Sequence, residues 1–201
     1  MREYHLVAGP RSIELVDGDQ SQGLGTTVCV AWLVETGGNM TQAFGEKAFV
    51  FLLRMLMAWT FLYAASHQGI FAPDWSVAGF LSHTKTFHDL FAVFTTSSIA
   101  PVATFLVSWG HLLIGLSLLV GFMVRVSASF GIVLMLVYWM AHMDFPFIEN
   151  RNNFIIDFHI VYACVLGYLI YKHAGHIWGL DAVFSRVPLF RNGEALHPLV
   201  A

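Results

Sequence analysis

Ionisable side chains recur towards one end of the long apolar stretches of this 201-residue chain. They are histidines and aspartates: His67, His111, His142, Asp144, Asp157 and His159. An ionisable group at membrane depth is costly, and such residues usually have a function. An imidazole, whose unperturbed pKa is about 6.5, can accept and release a proton near neutral pH. The cluster therefore indicates proton-transfer chemistry, provided that the apolar stretches lie in a membrane.

The composition supports a membrane environment. Hydrophobic residues make up 57% of the chain and charged residues only 11%, whereas soluble domains carry roughly 25% charged residues. Four apolar runs, at residues 48–66, 101–124, 127–143 and 155–174, approach the roughly 20 residues that a helix needs to cross a bilayer. We therefore expect an all-α integral membrane protein, built as an antiparallel bundle of four transmembrane helices.

The segment 75–94 between the first two runs has a different character. Its aromatic residues are mixed with histidine, lysine and aspartate, so it is amphipathic rather than uniformly apolar. This pattern predicts a helix that lies in the membrane interface between spans 1 and 2.

The chain divides into three parts. Residues 1–46 form a polar leader, for which we expect either a disordered arm or a start site assigned too early, with Met40 as the alternative start. The four-helix membrane domain covers residues 47–184, and residues 185–201 form a tail. The first 39 residues hold five acids and two bases, and the rest holds eight of each. No basic face typical of a nucleic-acid binder is present.

The basic residues predict the orientation. Four spans would place Lys47, Arg125, Lys172, Arg186 and Arg191 on one side, and Lys85 and Arg151 on the other. The side richer in lysine and arginine is normally cytoplasmic. We expect a multi-pass plasma membrane protein with both termini in the cytoplasm and the polar cluster in the outer half.

Arg54 and His111 lie inside the apolar runs and each has two interpretations. Arg54 either extends its charged end to the cytoplasmic interface or serves as a partner of Asp157, an anion or a quinone. A lone histidine such as His111 is more often a packing residue than a ligand, but three other histidines end or begin neighbouring spans. Asp157 and His159 should lie about 200° apart on a helix. Asp157 would then face the bundle centre, and His159 a neighbouring subunit or the interface.

A quinone pocket fits this inventory best, because it needs an aromatic slot with one hydrogen-bond donor and one acid or base. We assign catalytic roles to His111, Asp157 and Arg54, and expect the cofactor to be bound by Trp109, Tyr138, His142, His159 and His67. The aromatic residues, including Trp59, Tyr63 and Trp139, have the alternative of an interfacial belt. Haem held by two histidines, and a metal held by His142, Asp144 and Asp157, are less favoured, so no metal site is assigned.

Several short motifs carry a family resemblance. The run FLLR at 51–54, the turn GFMVR at 121–125, the segment WGLD at 178–181 and Asp157 before the last span occur in this order. Over residues 47–184 the chain resembles the DoxX/DoxD family of small four-helix membrane proteins.

This resemblance implies a membrane subunit of a quinone-linked redox complex. DoxD is the small subunit of a thiosulfate:quinone oxidoreductase, so a second subunit and electron transfer to quinone are implied. The alternative is a non-catalytic scaffold that anchors soluble redox enzymes, and a transporter is a weaker third. The sequence leaves open whether the chain is itself an enzyme and whether it forms a homo-oligomer.

Overall fold

The computed structural model describes residues 4–8, 13–17, 21–72, 74–148 and 153–187, with side chains from residue 42 onward except residue 70. Two compact units divide between Lys47 and Ala48. The first contains an antiparallel hairpin of β1 (Tyr4–Ala8) and β2 (Ile13–Asp17). It also contains the beginning of helix α1 (Ser21–Ala65), which continues into the second unit. These elements fall within the predicted leader.

The second unit confirms a mostly helical protein with apolar helices of membrane-spanning length. Among the described residues, three helical segments are long and apolar enough to cross a membrane: Gln42–Gly69, which contains the end of α1, α4 (Ala100–Val120) and α5 (Val124–Ala141). Helix α6 (Phe158–Tyr171) is apolar but has only 14 residues. At 1.5 Å per residue it is about 21 Å long, shorter than the roughly 30 Å of a bilayer core.

Local chemistry explains where these helices end. Gly121 adopts the left-handed conformation (φ 70°) and its N–H bonds to the Ser117 carbonyl, which stops α4 before the predicted residue 124. Helix α5 then begins at Val124, three residues earlier than expected. The Asp157 carboxylate caps α6, so that this helix starts after residue 157 instead of at 155.

The segment between α1 and α4 is not the single interfacial helix that we expected. A π-helical turn (Ser66–Ile70) is broken at Gly69 (φ 104°), and two short helices follow, α2 (Val77–Leu81) and α3 (His88–Ala92). The Ser82 and Thr84 hydroxyls bond to the carbonyls of Gly79 and Leu81, which favours a turn after α2 over a continuous helix.

A small antiparallel sheet closes the connection between α5 and α6. Its strands are β3 (Met143–Asp144), β4 (Phe147–Ile148) and β5 (Asn153–Phe154), in that spatial order. The expectation of an all-α fold missed these strands, because two-residue strands leave no periodic pattern in a sequence.

Side chains from four helices share one hydrophobic core. Its buried members include Phe61 on α1, Leu118 on α4, Ala128 on α5 and Leu166 on α6. Helices α5 and α6 pack closely at Gly131, where an added Cβ would lie 2.9 Å from Cδ1 of Leu166. A short helix, α7 (Asp181–Phe184), follows α6 and packs against the turn between α4 and α5 through backbone hydrogen bonds to Val120 and Gly121.

Candidate functional site

Three of the expected histidines line one cavity of about 230 Å³ between the four helices. It is bounded by Thr60, Phe61, Ala64 and Gln68 from the first span, His111 from α4, Met135, Tyr138 and His142 from α5 and its end, and Phe158, His159 and Tyr162 from α6. The lining is aromatic and imidazole-rich, with two phenols and a carboxamide. Apolar and aromatic walls with a few polar groups are typical of small-molecule sites.

Asp157 and His159 form a buried pair behind this cavity. The Oδ2 of Asp157 lies 2.5 Å from Nδ1 of His159, and its Oδ1 accepts the backbone N–H of His159 at 3.0 Å. Both residues are 5% exposed. The prediction that the two side chains point apart was wrong, because Asp157 is the extended residue before the helix and not part of it. His159 accordingly faces the cavity rather than another subunit.

The other two cavity histidines are held by the preceding helical turn. The Nδ1 of His111 lies 2.8 Å from the Val107 carbonyl, and the Nδ1 of His142 lies 2.8 Å from the Tyr138 carbonyl. Since a carbonyl can only accept, Nδ1 carries the hydrogen in both rings. In the neutral imidazole Nε2 is then the basic nitrogen. His111 is only 2% exposed and packs against the ring of Phe61.

Tyr138 connects the histidines. Its ring is parallel to that of His159 at a centroid distance of 5.8 Å, and the ring of His111 lies 5.7 Å away on an edge. Its hydroxyl donates to Oε1 of Gln68 at 3.0 Å. Gln68 was not among the residues predicted from the sequence, although its position beside a helix-breaking glycine was a usable signal. The contact places an amide in the lining of the cavity.

Two residues expected to bind the cofactor lie elsewhere. His67 is exposed, and it bonds to the Tyr63 carbonyl and packs on the Tyr63 ring. Trp109 is 46% exposed and does not line the histidine cavity. Trp59 and Tyr63 are likewise exposed. The apolar outer surface of the helices accounts for these aromatic residues without a ligand.

Arg54 lies near the end of α6, whereas Asp157 caps the beginning of that helix. Arg54 is 1% exposed, and its guanidinium donates to the carbonyls of Ala174 at 2.5 Å, Ile177 at 2.9 Å and Trp178 at 3.3 Å. The prediction that Arg54 pairs with Asp157 was therefore wrong, because its charged end contacts backbone carbonyls after α6. Through these hydrogen bonds Arg54, which belongs to α1, holds the residues that follow α6.

Asp181 is close enough to Arg54 for their charges to interact. Its carboxylate accepts the N–H groups of Met123 at 2.7 Å and Val124 at 3.2 Å, capping α5 from outside that helix. Burial raises the pKa of Asp181, while these two hydrogen bonds and the positive charges of His176 and Arg54 act in the opposite direction. The arrangement joins four segments and has no visible role in proton transfer at the histidine cavity.

The position of Asp144, the other acid of the metal site considered from the sequence, does not favour metal binding. Asp144 forms an ion pair with Lys85 at 2.7 Å, away from Asp157. Within the described parts of the chain, no group of three or more histidine, cysteine or acidic side chains is placed to hold a metal ion.

The cavity therefore presents groups that can exchange protons with a ligand. Oriented imidazoles, a carboxylate-backed histidine and a tyrosine are general acid–base groups. Comparisons with protein-family models, with curated proteins and with solved structures found no match to this chain.

Proposed function

We propose that this protein is the quinone-binding membrane subunit of a redox complex, with the histidine cavity as the site of the quinone ring. The observation that carries the proposal is the Asp157–His159 pair, which presents an oriented, carboxylate-backed imidazole to the same cavity as Tyr138 and His111. The resemblance to the DoxX/DoxD family supports the same assignment. A volume of about 230 Å³ suits a single substituted ring.

A bound quinone would supply two-electron, two-proton acceptor chemistry. The residues would position the ring and deliver protons to its oxygens. His159 is the proposed proton donor, because Asp157 stabilises its protonated form and fixes its ring. His111 and Tyr138 are the proposed positioning groups. By the DoxD resemblance the reductant is thiosulfate, so that two thiosulfates, one quinone and two protons give one tetrathionate and one quinol.

We also propose that α6 is a fourth span. Its first residues pack against the end of α5, where His159 stacks on His142 at 5.0 Å. Its last residues, Leu169 and Ile170, face the beginning of α5 around Val124. Helix α6 thus runs antiparallel to α5 from one end to the other. The non-helical residues on both sides of α6 would complete the crossing.

The orientation follows from this arrangement and the positive-inside rule. Arg125 and Lys172 lie at the proposed cytoplasmic end, and the Lys85–Asp144 pair lies at the outer end. In a background with both native cysteines replaced by serine, an impermeant maleimide should label Ser82→Cys in intact cells and should not label Arg125→Cys. The reverse labelling pattern would overturn the proposed orientation.

The function is tested by quinone binding and reduction with purified protein. We expect a stoichiometric bound quinone, and at least a tenfold loss of quinol formation in His159→Gln. His83→Gln is the matched control, because His83 is exposed and does not line the cavity. Equal turnover in all three proteins would contradict the assignment. A Soret absorption band would indicate haem instead, and co-purification of a soluble enzyme without quinone would favour the scaffold.

A further inference from the structure

A second, larger opening lies beside the histidine cavity. This groove, which we call the α4 groove, has a volume of about 690 Å³. Its lining comes from the segment between α1 and α4 and from one face of α4, including Trp75, Ala78, Thr104, Phe105, Ser108 and Trp109. Phe105 is 58% exposed, so the groove opens on the apolar outer surface of α4.

The polar atoms of the groove are largely engaged by the protein itself. The hydroxyl of Thr104 donates to the Ala100 carbonyl and accepts the N–H of Val77, and the hydroxyl of Ser108 donates to the Thr104 carbonyl. The Thr95 hydroxyl is likewise used by a backbone carbonyl. With these donors occupied, the groove offers a ligand mainly carbon surface, which suits a hydrocarbon chain.

The groove and the histidine cavity meet at the break in the first helix. Gln68 lines the cavity and the next residue, Gly69, lines the groove. On α4, Ser108 lines the groove and His111, one turn later, lines the cavity. Gly69 and Ser108 approach so closely that a Cβ on Gly69 would lie 2.4 Å from the Ser108 Oγ. The two spaces are therefore lined by neighbouring residues on both helices.

The volumes of the histidine cavity and of the α4 groove indicate which part of a single ligand each would hold. Ligand sites usually measure about 300–1,000 Å³, and the histidine cavity falls below this range while the α4 groove lies within it. A ligand whose ring fills the cavity must place the rest of its structure outside. Membrane quinones carry a long apolar tail, and the groove is the apolar space next to the ring site.

We infer that the α4 groove holds the hydrocarbon tail of the quinone, an inference that rests on the proposed function. It specifies the substrate class as tailed, membrane-dissolved quinones, in preference to small water-soluble ones. It also assigns the side of entry, since a ligand diffusing in the bilayer would reach the groove from the exposed face of α4.

The test compares a tail-less benzoquinone with the same ring carrying a decyl chain, titrated against purified full-length protein in one detergent. For wild type we expect the decyl compound to bind at least ten times more tightly. Ala78→Phe fills the groove and should abolish most of this advantage while changing the affinity for the tail-less ring less than twofold. Gly79→Phe is the control, because Gly79 is exposed and a Cβ there meets nothing within 4 Å. Phe105→Ala, on the exposed face, should reduce the advantage without disturbing the fold.

The results distinguish a failure of the proposed quinone function from a failure of the inference that the α4 groove holds the tail. If neither quinone binds wild type, the proposed function itself is wrong. If the ring binds but wild type shows no tail advantage, or if Ala78→Phe and Phe105→Ala both keep it, the groove is not the tail site. A co-purified phospholipid lost in Ala78→Phe, with decylquinone affinity unchanged, would make the groove a lipid site.

Discussion

The Asp157 carboxylate holds both the backbone and the ring of His159. One oxygen caps α6 by accepting the His159 N–H, and the other lies 2.5 Å from the His159 Nδ1. A single residue thus determines where the helix starts and which nitrogen of the imidazole carries the proton. Because the cap and the ring orientation use different oxygens, they can be separated by substitution.

Asp157→Asn should separate them. Asparagine caps a helix about as well as aspartate, so the free energy of unfolding should fall by less than about 1 kcal/mol. The carboxamide no longer supplies a negative charge to stabilise a protonated His159, so quinol formation should fall at least tenfold.

Nitrogen-15 NMR of labelled histidine provides a second readout of this variant. The His159 signals should change in Asp157→Asn, while those of His111, which bonds to Val107, remain as in wild type. Unchanged His159 signals together with unchanged turnover would show that the pair only starts the helix.

Arg54 is predicted to act on stability and not on turnover. Arg54→Lys replaces a planar fork that reaches three carbonyls with a single ammonium group, which cannot serve all of them. Disrupting a buried charged group of this kind typically costs about 3–5 kcal/mol. Unfolding in detergent should show a loss of this order, whereas Arg125→Lys, half-buried at the same end of the bundle, should lose less than about 1 kcal/mol.

A stable Arg54→Lys protein with abolished quinol formation would reverse this assignment. Arg54 would then act on the reaction after all, as the sequence analysis expected.

Two glycines, one beside Asp181 and one within α6, give a matched pair of substitutions. A Cβ on Gly175 would lie 1.9 Å from Oδ2 of Asp181, whereas one on Gly167 in α6 meets nothing within 4 Å. Gly175→Ala should therefore displace Asp181 and lower the melting temperature clearly. Gly167→Ala should be neutral or stabilise the protein by up to about 1 kcal/mol, because alanine favours the helix. Equal melting temperatures for the two variants would show that Asp181 is not held against Gly175.

The sequence predicted the helical segments and three cavity histidines because apolar length and residue type are local properties. It did not predict the hydrogen-bond partners of Arg54, since no local pattern reveals that residues 174–178 fold back to offer their carbonyls. It also separated Asp157 from His159 by assuming an ideal helix through both, when the helix begins between them. The errors lie where long-range contacts or a helix end determine side-chain direction.

The raised pKa of Asp181 predicts a specific pH dependence of stability. Burial, the largest cause, favours the protonated carboxyl in the folded protein. A folded-state pKa above the unfolded value of 3.8 means that the folded state binds this proton more tightly. The stability that this proton contributes is fully present below pH 3.8 and is lost as the pH rises through the folded-state pKa.

The Asp181→Asn variant has no carboxyl at this position to titrate. The free energy of unfolding of wild type minus that of the variant should therefore decrease as the pH rises from 3.8 through the folded-state pKa, and stay constant at higher pH. Parallel unfolding measurements between pH 3.5 and 8 test this; a difference that increases with pH would mean that the N–H groups of Met123 and Val124 outweigh burial.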